Sequence, residues 1–253
     1  MDVYLDFATK LAHEAGQLIL DGFNKDHMIT DKLDNSPVTE VDLKINQLVI
    51  ERIKQKFSSH GLLGEEANLG NGQETFRWIC DPLDGTKSFI LKVPNSVFII
   101  ALMEESSLVL GVIYNPFTNT LYHAIKGGGA FRDGQRIKVS SVPLRGGYVL
   151  LGSSTYPFIT ELKARGAKVE PVSGGGYKYA MIADGRAVGT IKDGADFHDV
   201  AAGALIIEEA GGKVTNLDGS PLKLDEKIAG AIMSNGLVHH ELVAITKQVL
   251  QDK

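Results

Sequence analysis

Apolar residues in the first half of the chain follow two patterns, one with helical spacing and one of short continuous runs. Apolar residues at helical spacing predict two helices, one over 3–22 and one from residue 40 or 42 to 57. Four short apolar runs predict buried strands, over 76–80, 97–103, 108–114 and 121–124. This part of the chain therefore combines helices with a sheet.

The pattern changes after Pro143. It predicts one strand at 148–152, followed by helices over 158–165, 177–183, 199–210 and from 237 to the end. No repeat, low-complexity tract or flexible linker separates the halves. We therefore expect two tightly joined subdomains, 1–143 and 144–253.

Composition narrows the class of protein. A hydrophobic content of 43% and a charged content of 23% are ordinary for a globular protein, and the formal net charge of -5 argues against non-specific nucleic-acid binding. The strongest apolar run, 97–103, is too short to cross a membrane, and the first residues lack the pattern of a signal peptide. The single cysteine, Cys80, excludes an intrachain disulfide. A cytoplasmic protein without nucleic-acid or membrane partners is expected.

Candidate chemistry begins where a buried strand runs into two aspartates, Asp81 and Asp84. Pro82 stiffens the exit from the strand, and Gly85 allows the backbone to approach a ligand closely. This arrangement could direct both carboxylates to one point, with the amides of Gly85 and Thr86 facing an anion. An acidic turn with a helix cap is the alternative interpretation.

Further carboxylates lie at Glu65, Glu66 and Asp199, the last one next to an Ala/Gly-rich helix. Each alone is typical of a solvated loop or a helix cap. Together with Asp81 and Asp84 they form an all-oxygen set, which suits Mg²⁺ or Mn²⁺ rather than zinc.

Four segments carry a resemblance to a known family. In order and approximate spacing they are similar to the motifs of the inositol monophosphatase family: Ser36–Asp42, Glu65-Glu66, Asp81–Thr86, and Asp199–Gly203 with Glu209–Gly212. The resemblance extends over nearly the whole chain. It implies an α/β (α+β) fold, a layered α-β-α-β-α sandwich of the inositol monophosphatase/fructose-1,6-bisphosphatase type, with an antiparallel first sheet and a smaller mixed second sheet. It also implies a homodimer and inhibition by lithium.

The resemblance further implies roles for particular residues. Two or three Mg²⁺ ions, replaceable by Mn²⁺, would be held by Glu65, Asp81, the Leu83 carbonyl, Asp84 and Asp199. Asp42 and Thr86 would orient and deprotonate the water that attacks phosphorus, supported by Glu66. The phosphate would lie against Gly85, Thr86 and Lys32. The expected activity is hydrolysis of a small phosphate monoester, most closely that of an inositol monophosphatase.

The residues expected on the substrate side are Ser88, Ser153, Gly175 and Lys192. The segment Gly85–Ile90 resembles the histidinol-phosphate phosphatases of the family, which keeps histidinol phosphate open as a substrate. Lys192 stands where the family usually has a glutamate, and a lysine there favours a second anionic group, as in fructose 1,6-bisphosphate or adenosine 3',5'-bisphosphate. A shifted loop that brings Asp193 or Asp196 into this role is the alternative.

Other classes of protein fit the sequence less well. A haloacid-dehalogenase-type phosphatase needs one residue between its aspartates, whereas Asp81 and Asp84 have two between them. A P-loop requires an upstream glycine that is missing here. A metal-binding regulator that has lost turnover would be the non-enzymatic alternative, but every expected ligand and the Asp42–Thr86 pair are present.

Overall fold

Helices and strands alternate along the chain. The computed structural model describes residues 1–25, 27, 29–31, 37–222 and 227–251, and the helices within these ranges are α1 Asp2–Phe23, α2 Glu40–Lys56, α3 Thr86–Ile90, α4 Ile159–Ala164, α5 Gly175–Ala183, α6 Phe197–Glu209 and α7 His239–Gln251. A 3₁₀ helix, Ser153–Phe158, precedes α4.

The strands form three sheets. Their bounds are β1 Ile29–Asp31, β2 Pro37–Thr39, β3 Gly61–Gly64, β4 Phe76–Asp84, β5 Val97–Glu104, β6 Ser107–Asn115, β7 Thr120–Ile125, β8 Gly129–Arg132, β9 Gln135–Arg136, β10 Tyr148–Leu151, β11 Lys168–Pro171, β12 Gly189–Asp196, β13 Lys213–Asn216 and β14 Lys227–Ser234. The large sheet has the order β3-β4-β5-β6-β7-β8-β9, the second has the order β11-β10-β12-β14-β13, and β1 pairs with β2.

Strand direction confirms one prediction and corrects another. The second sheet is mixed, as predicted, because β10 runs parallel to β11 and β12 whereas β14 runs antiparallel to its neighbours. The first sheet is not purely antiparallel, since β3 and β4 are parallel. The connection over residues 65–75 leads the chain back so that both strands end at the same edge.

The layers follow the predicted α-β-α-β-α order. Helices α1 and α2 pack on one face of the large sheet, and α5 and α6 pack on its other face. The same two helices also contact β12 and β14 of the second sheet, whose far face carries α7. One apolar cluster runs through this middle layer from Ile79 in β4 to Met233 in β14. The division at residue 143 stays a prediction.

The helices near the beginning of the chain match their predicted bounds because their signals are local. In α1, Leu11, Ala15 and Ile19 lie on one buried face at helical spacing. Burial of a leucine or isoleucine side chain stabilises the fold by about 1.5–3 kcal/mol. Helix α2 begins with a capping box, in which the Thr39 side chain accepts from the Asp42 backbone N–H and the Asp42 side chain accepts from the Thr39 backbone N–H.

The second half needs more correction. The predicted helix over 158–165 is confirmed as α4, Ile159–Ala164, but the 3₁₀ helix that precedes it and contains Pro157 was not predicted. Helix α5 begins at Gly175, two residues earlier than predicted, and α6 begins at Phe197. Strands β12 and β14 were not predicted. No helix within the described ranges combines the length and the apolar character needed to span a bilayer.

Candidate active site

An irregularity in β4 brings the two predicted aspartates to one face of the large sheet. Asp81 pairs with Ile99 of β5 and Asp84 pairs with Val97, so three steps on β4 oppose two steps on β5. This extra residue is a β-bulge, and Pro82, which has no N–H to donate, lies within it. Directly paired residues share a face, and Ile99 and Val97 both face the core under α5 and α6. Both carboxylates therefore point towards the middle helical layer.

Glu65 reaches the same place from the neighbouring strand. It follows β3 directly, and its backbone N–H donates to the Cys80 carbonyl at 3.1 Å. Because β3 and β4 are parallel, their carboxyl ends meet at one edge. A hydrogen bond also links the Glu65 and Asp81 carboxyl groups. The sheet topology thus explains why residues 16 positions apart share a site.

Asp199 approaches from the other half of the chain, in the first turn of α6. The sequence placed it just before the helix, but Asp196 is the residue that precedes the first turn. The Lys192 ammonium of β12 lies 3.2 Å from Asp199 Oδ2. Burial alone would lower the pKa of Lys192, but the negative charges of Asp199 and other nearby acidic groups outweigh it and raise that pKa. Lys192 is therefore a charged partner of this acidic group.

Asp84 connects the two halves of the chain. The N–H groups of Gly175 and Gly176, at the start of α5, donate to Asp84 Oδ1 at 2.9 Å and to Oδ2 at 2.8 Å. A carboxylate at a helix N-terminus satisfies first-turn amides that have no acceptor within the helix. A Cβ on Gly174 would stand 3.1 Å from Asp84 Oδ2, so the glycine run allows this approach.

Charge repulsion marks these carboxylates as a group. Burial raises the pKa of Asp81 well above its ordinary value, and the nearby charges of Glu65, Asp84 and Asp199 raise it further. Burial and then the Asp199 charge also raise the pKa of Asp84, although its two amide donors oppose the shift. Strongly perturbed acids that share a cleft are typical of functional sites.

Asp42 and Thr86 form a second, smaller unit beside the first. The Thr86 hydroxyl lies 3.2 Å from Asp42 Oδ1 and 3.1 Å from the Leu83 carbonyl oxygen, so it can donate to either acceptor. Asp42 is 1% exposed, and its Oδ2 accepts bonds from the Thr39 N–H and hydroxyl. Burial raises the pKa of Asp42 to about 6, with Glu65 and Glu66 adding to the shift and Thr39 opposing it. Asp42 can therefore exchange a proton near neutral pH.

A cavity of about 520 Å³ opens over these groups. This volume is in the range of small-molecule binding sites. Both halves of the chain line it: Pro37, Glu65, Asp84, Gly85, Thr86 and Lys87 on one side, and Leu151, Gly152, Thr155, Pro171–Gly175, Lys178, Ile191 and Lys192 on the other.

The other predicted site residues do not all lie at the cavity. Gly175 and Lys192 line the cavity, whereas Ser88 is a buried residue of α3 that does not. Ser153 begins the 3₁₀ helix, but its side chain and the whole of Lys32 lie outside the described residues. Glu66 is half-buried and acts on Asp42 through its charge.

Two features of the cavity were not predicted. Gly175 and Gly176 act through their backbone amides, and Thr155 lines the cavity from the 3₁₀ helix. The sequence placed Gly175 on the substrate side but gave no sign that its amide, together with that of Gly176, holds Asp84. No signal in the sequence singled out Thr155.

The donor set can be compared with the ion that the sequence predicted. Within the described ranges, no three or more His, Cys, Asp or Glu side chains already form a metal site. The group of Glu65, Asp81, Asp84 and Asp199 is nevertheless all oxygen, and the charges of the other three add to burial in raising the pKa of Asp81. Hard cations such as Mg²⁺ prefer oxygen ligands and would relieve this repulsion. The chemistry of the residues fits such an ion, although their arrangement is not that of a formed coordination sphere.

Comparison with known proteins agrees with this arrangement. A model described as the inositol monophosphatase family matches residues 1–251. A fructose-1,6-bisphosphatase/inositol-1-monophosphatase from Thermotoga maritima is 30% identical over 98% of this chain and 97% of its own length, and a histidinol-phosphatase from Chlorobaculum parvum is 35% identical over 95% of each. The solved structure of a Thermotoga maritima IMPase, 30% identical, superposes with a TM-score of 0.93 over 100% of this chain and 99% of that one. The chain belongs to the inositol monophosphatase family.

Proposed function

We propose that this chain, a phosphatase of the inositol monophosphatase family, hydrolyses a small phosphate monoester with Mg²⁺ as its metal ion. The observation that carries the proposal is the pair of buried Asp42 and half-buried Thr86, joined at 3.2 Å beside an all-oxygen group of carboxylates. A proton acceptor and a cation-binding group at one cavity are what hydrolysis of a phosphate ester requires.

Glu65, Asp81, the Leu83 carbonyl, Asp84 and Asp199 are the residues that would hold the ions, two or three in number, with Mn²⁺ as a substitute. When bound, the ions supply positive charge that offsets the charge of the phosphate and acidifies water. The uncatalysed reaction is so slow that the site must lower the barrier by roughly 20 kcal/mol or more. Four acidic side chains gathered in one place support this proposal.

Proton transfer falls to Thr86 and Asp42. The Thr86 hydroxyl, when it donates to Asp42 Oδ1, presents its lone pairs towards the cavity and can accept a proton from the attacking water. Asp42 then receives the hydroxyl proton, and its pKa of about 6 keeps it ionised and able to do so at neutral pH. Glu66 strengthens this basicity through its negative charge.

The phosphate itself would lie at Gly85 and Thr86. Gly85 has φ 92°, a left-handed conformation that suits glycine, and it turns the chain from β4 into α3. The first amides of a helix have no intrahelical acceptor and can donate to phosphate oxygens. Lys32 as a further phosphate contact stays a prediction.

Three kinds of substrate are candidates. An inositol monophosphate is favoured by the family as a whole, and histidinol phosphate is favoured by the 35% identity with the Chlorobaculum parvum histidinol-phosphatase. A bisphosphate such as fructose 1,6-bisphosphate is favoured by the 30% identity with the Thermotoga maritima fructose-1,6-bisphosphatase/inositol-1-monophosphatase. Homodimer formation, inhibition by lithium and a cytoplasmic location stay predictions from the family resemblance.

Release of phosphate tests the proposal. p-Nitrophenyl phosphate, inositol 1-phosphate, histidinol phosphate and fructose 1,6-bisphosphate would each be incubated with the protein in Mg²⁺, in EDTA, and in EDTA followed by excess Mg²⁺. We expect hydrolysis with Mg²⁺, its loss in EDTA, and its recovery when Mg²⁺ is restored. A protein that binds Mg²⁺ by calorimetry but releases no phosphate from any ester would instead be a metal-binding regulator.

A further inference from the structure

A buried lysine faces the cavity, and no carboxylate of the described residues forms an ion pair with it. Lys178 of α5 is 5% exposed, and its ammonium makes one hydrogen bond within the described residues, to the Val172 carbonyl at 3.2 Å. An ammonium has three donors, and a buried charge is costly unless it is paired. Asp84 and Asp199 act on Lys178 only through longer-range attraction. Its position therefore favours an anion that comes from the cavity.

The backbone around Lys178 leaves space for it. A Cβ on Gly152 would stand 3.3 Å from the Lys178 ammonium, and Gly152 lines the same cavity. Glycine at the end of β10 thus lets the charged group reach the cavity wall. A larger side chain at this position would crowd it.

A second lysine faces the cavity close to the first. The positive charge of Lys192 adds to burial in lowering the pKa of Lys178, and both lysines line the cavity. Its partner Asp199 also belongs to the acidic group, and a carboxylate with several lone pairs can accept both a lysine and a cation. Two like charges held near each other are stabilised by an anion placed between them.

The two lysines lie on the wall formed by the second half of the chain, whereas Gly85 and Thr86 lie on the wall formed by the first. A cavity of about 520 Å³ holds considerably more than one phosphate group. The phosphate that is cleaved and the lysines therefore occupy different walls of one cavity.

We propose that Lys178 and Lys192 bind a second anionic group of the substrate, so that this chain acts on a phosphate monoester that carries a further phosphate or carboxylate. The inference rests on the proposed function, because that function places the cleaved phosphate at the opposite wall. Lys178 and Lys192 are then residues that determine specificity rather than residues that take part in bond cleavage.

Binding of matched phosphonates, which cannot be hydrolysed, tests the inference apart from turnover. Butylphosphonate, 5-phosphonopentanoate and butane-1,4-diylbisphosphonate share a four-carbon chain and differ in the group at its far end. Calorimetry in Mg²⁺ should show at least one of the two doubly anionic probes binding about tenfold or more tightly than butylphosphonate, as expected for charge-assisted hydrogen bonds. The carboxylate and phosphonate arms distinguish the two kinds of second group.

Substitutions then locate the effect. The ratio of the Kd of butylphosphonate to the Kd of the tighter doubly anionic probe measures the effect. Lys178→Met and Lys192→Gln should each reduce this ratio to about threefold or less. Use of the ratio corrects for any change that Lys192→Gln causes in binding of the metal or of the first phosphonate. Lys163→Gln, an exposed residue of α4 outside the cavity lining, is the matched control and should leave the ratio unchanged.

The outcomes separate the two proposals. Equal binding of all three probes, or a ratio that neither lysine variant changes, overturns the second-anion inference. Should Lys178→Met fail to fold by circular dichroism, Lys192→Gln decides the matter on its own. Preferential binding with no hydrolysis of any ester would leave the inference standing and overturn only the proposed function.

Discussion

Replacement of Asp84 by asparagine separates the chemical role of this residue from its structural role. Its two oxygens accept bonds from Gly175 and Gly176 at 2.9 and 2.8 Å. Asparagine has a single acceptor oxygen, so Asp84→Asn loses one of these bonds, and a bond to a charged group is worth about 1.5–3 kcal/mol. The substitution also removes a buried charge that Asp199 repels, which offsets part of the loss.

We therefore expect the free energy of unfolding of metal-free Asp84→Asn to fall by less than about 3 kcal/mol, or the Tm by less than about 10 °C for a chain of this size. Turnover should fall by at least about 10³-fold, because a charge that stabilises the transition state is lost. Saturating Mg²⁺ should raise the stability of the wild-type protein by about 2.7 kcal/mol at one hundred times its Kd, and that of the variant far less.

Thermal unfolding with and without Mg²⁺, together with initial rates on p-nitrophenyl phosphate, measures both effects. Asp6→Asn is the control, since it makes the same chemical change at an exposed position on α1 that is 61% accessible. If Asp84→Asn kept wild-type turnover and a wild-type response to Mg²⁺, Asp84 would be only an anchor for α5, and the assignment of the acidic group would be wrong.

Three further outcomes are expected. Thr86→Val should lower kcat by about 10²–10⁴-fold while Thr86→Ser keeps most of it, because only the hydroxyl relays a proton to Asp42; steady-state rates of the two variants decide this. The pKa of about 6 for Asp42 means that its ionised form is lost as pH falls through about 6, so kcat/KM measured against pH should decline there, while a profile flat down to pH 4 would exclude Asp42 as the base. Gly203→Ala would place a Cβ 2.3 Å from Tyr179 Cδ2 between α6 and α5, and chemical denaturation should show a loss of about 1–3 kcal/mol, whereas an unchanged midpoint would refute this close packing.

Local signals in the sequence account for much of the fold. The spacing of Leu11, Ala15 and Ile19 defines α1, and continuous apolar runs define β5 and β6, because each pattern reports a buried face within one element. The parallel pairing of β3 with β4 could not be predicted from such local patterns, because it depends on the path of the chain between the two strands. Pro157 could have indicated the break before α4.

The candidate site, too, was predicted only where the signal is local in the sequence. Asp81, Asp84 and Asp199 were identified from motifs, and the structure brings them within electrostatic reach of one another. The ion pair of Lys192 with Asp199 and the amides that hold Asp84 depend on how the two sheets dock through the middle helical layer. Such contacts between distant segments leave no periodic pattern, so the sequence predicted the identity of the acidic residues better than their partners.

The bulge in β4 has a consequence for the length of the motif. In a regular strand, side chains three positions apart project from opposite faces, so without the bulge Asp84 would turn into the apolar layer occupied by Cys80 and Leu83. Side chains two positions apart share a face, so deletion of one residue between Asp81 and Asp84 would keep both carboxylates together only if the bulge were lost as well. The length of the motif and the bulge in its strand therefore depend on each other.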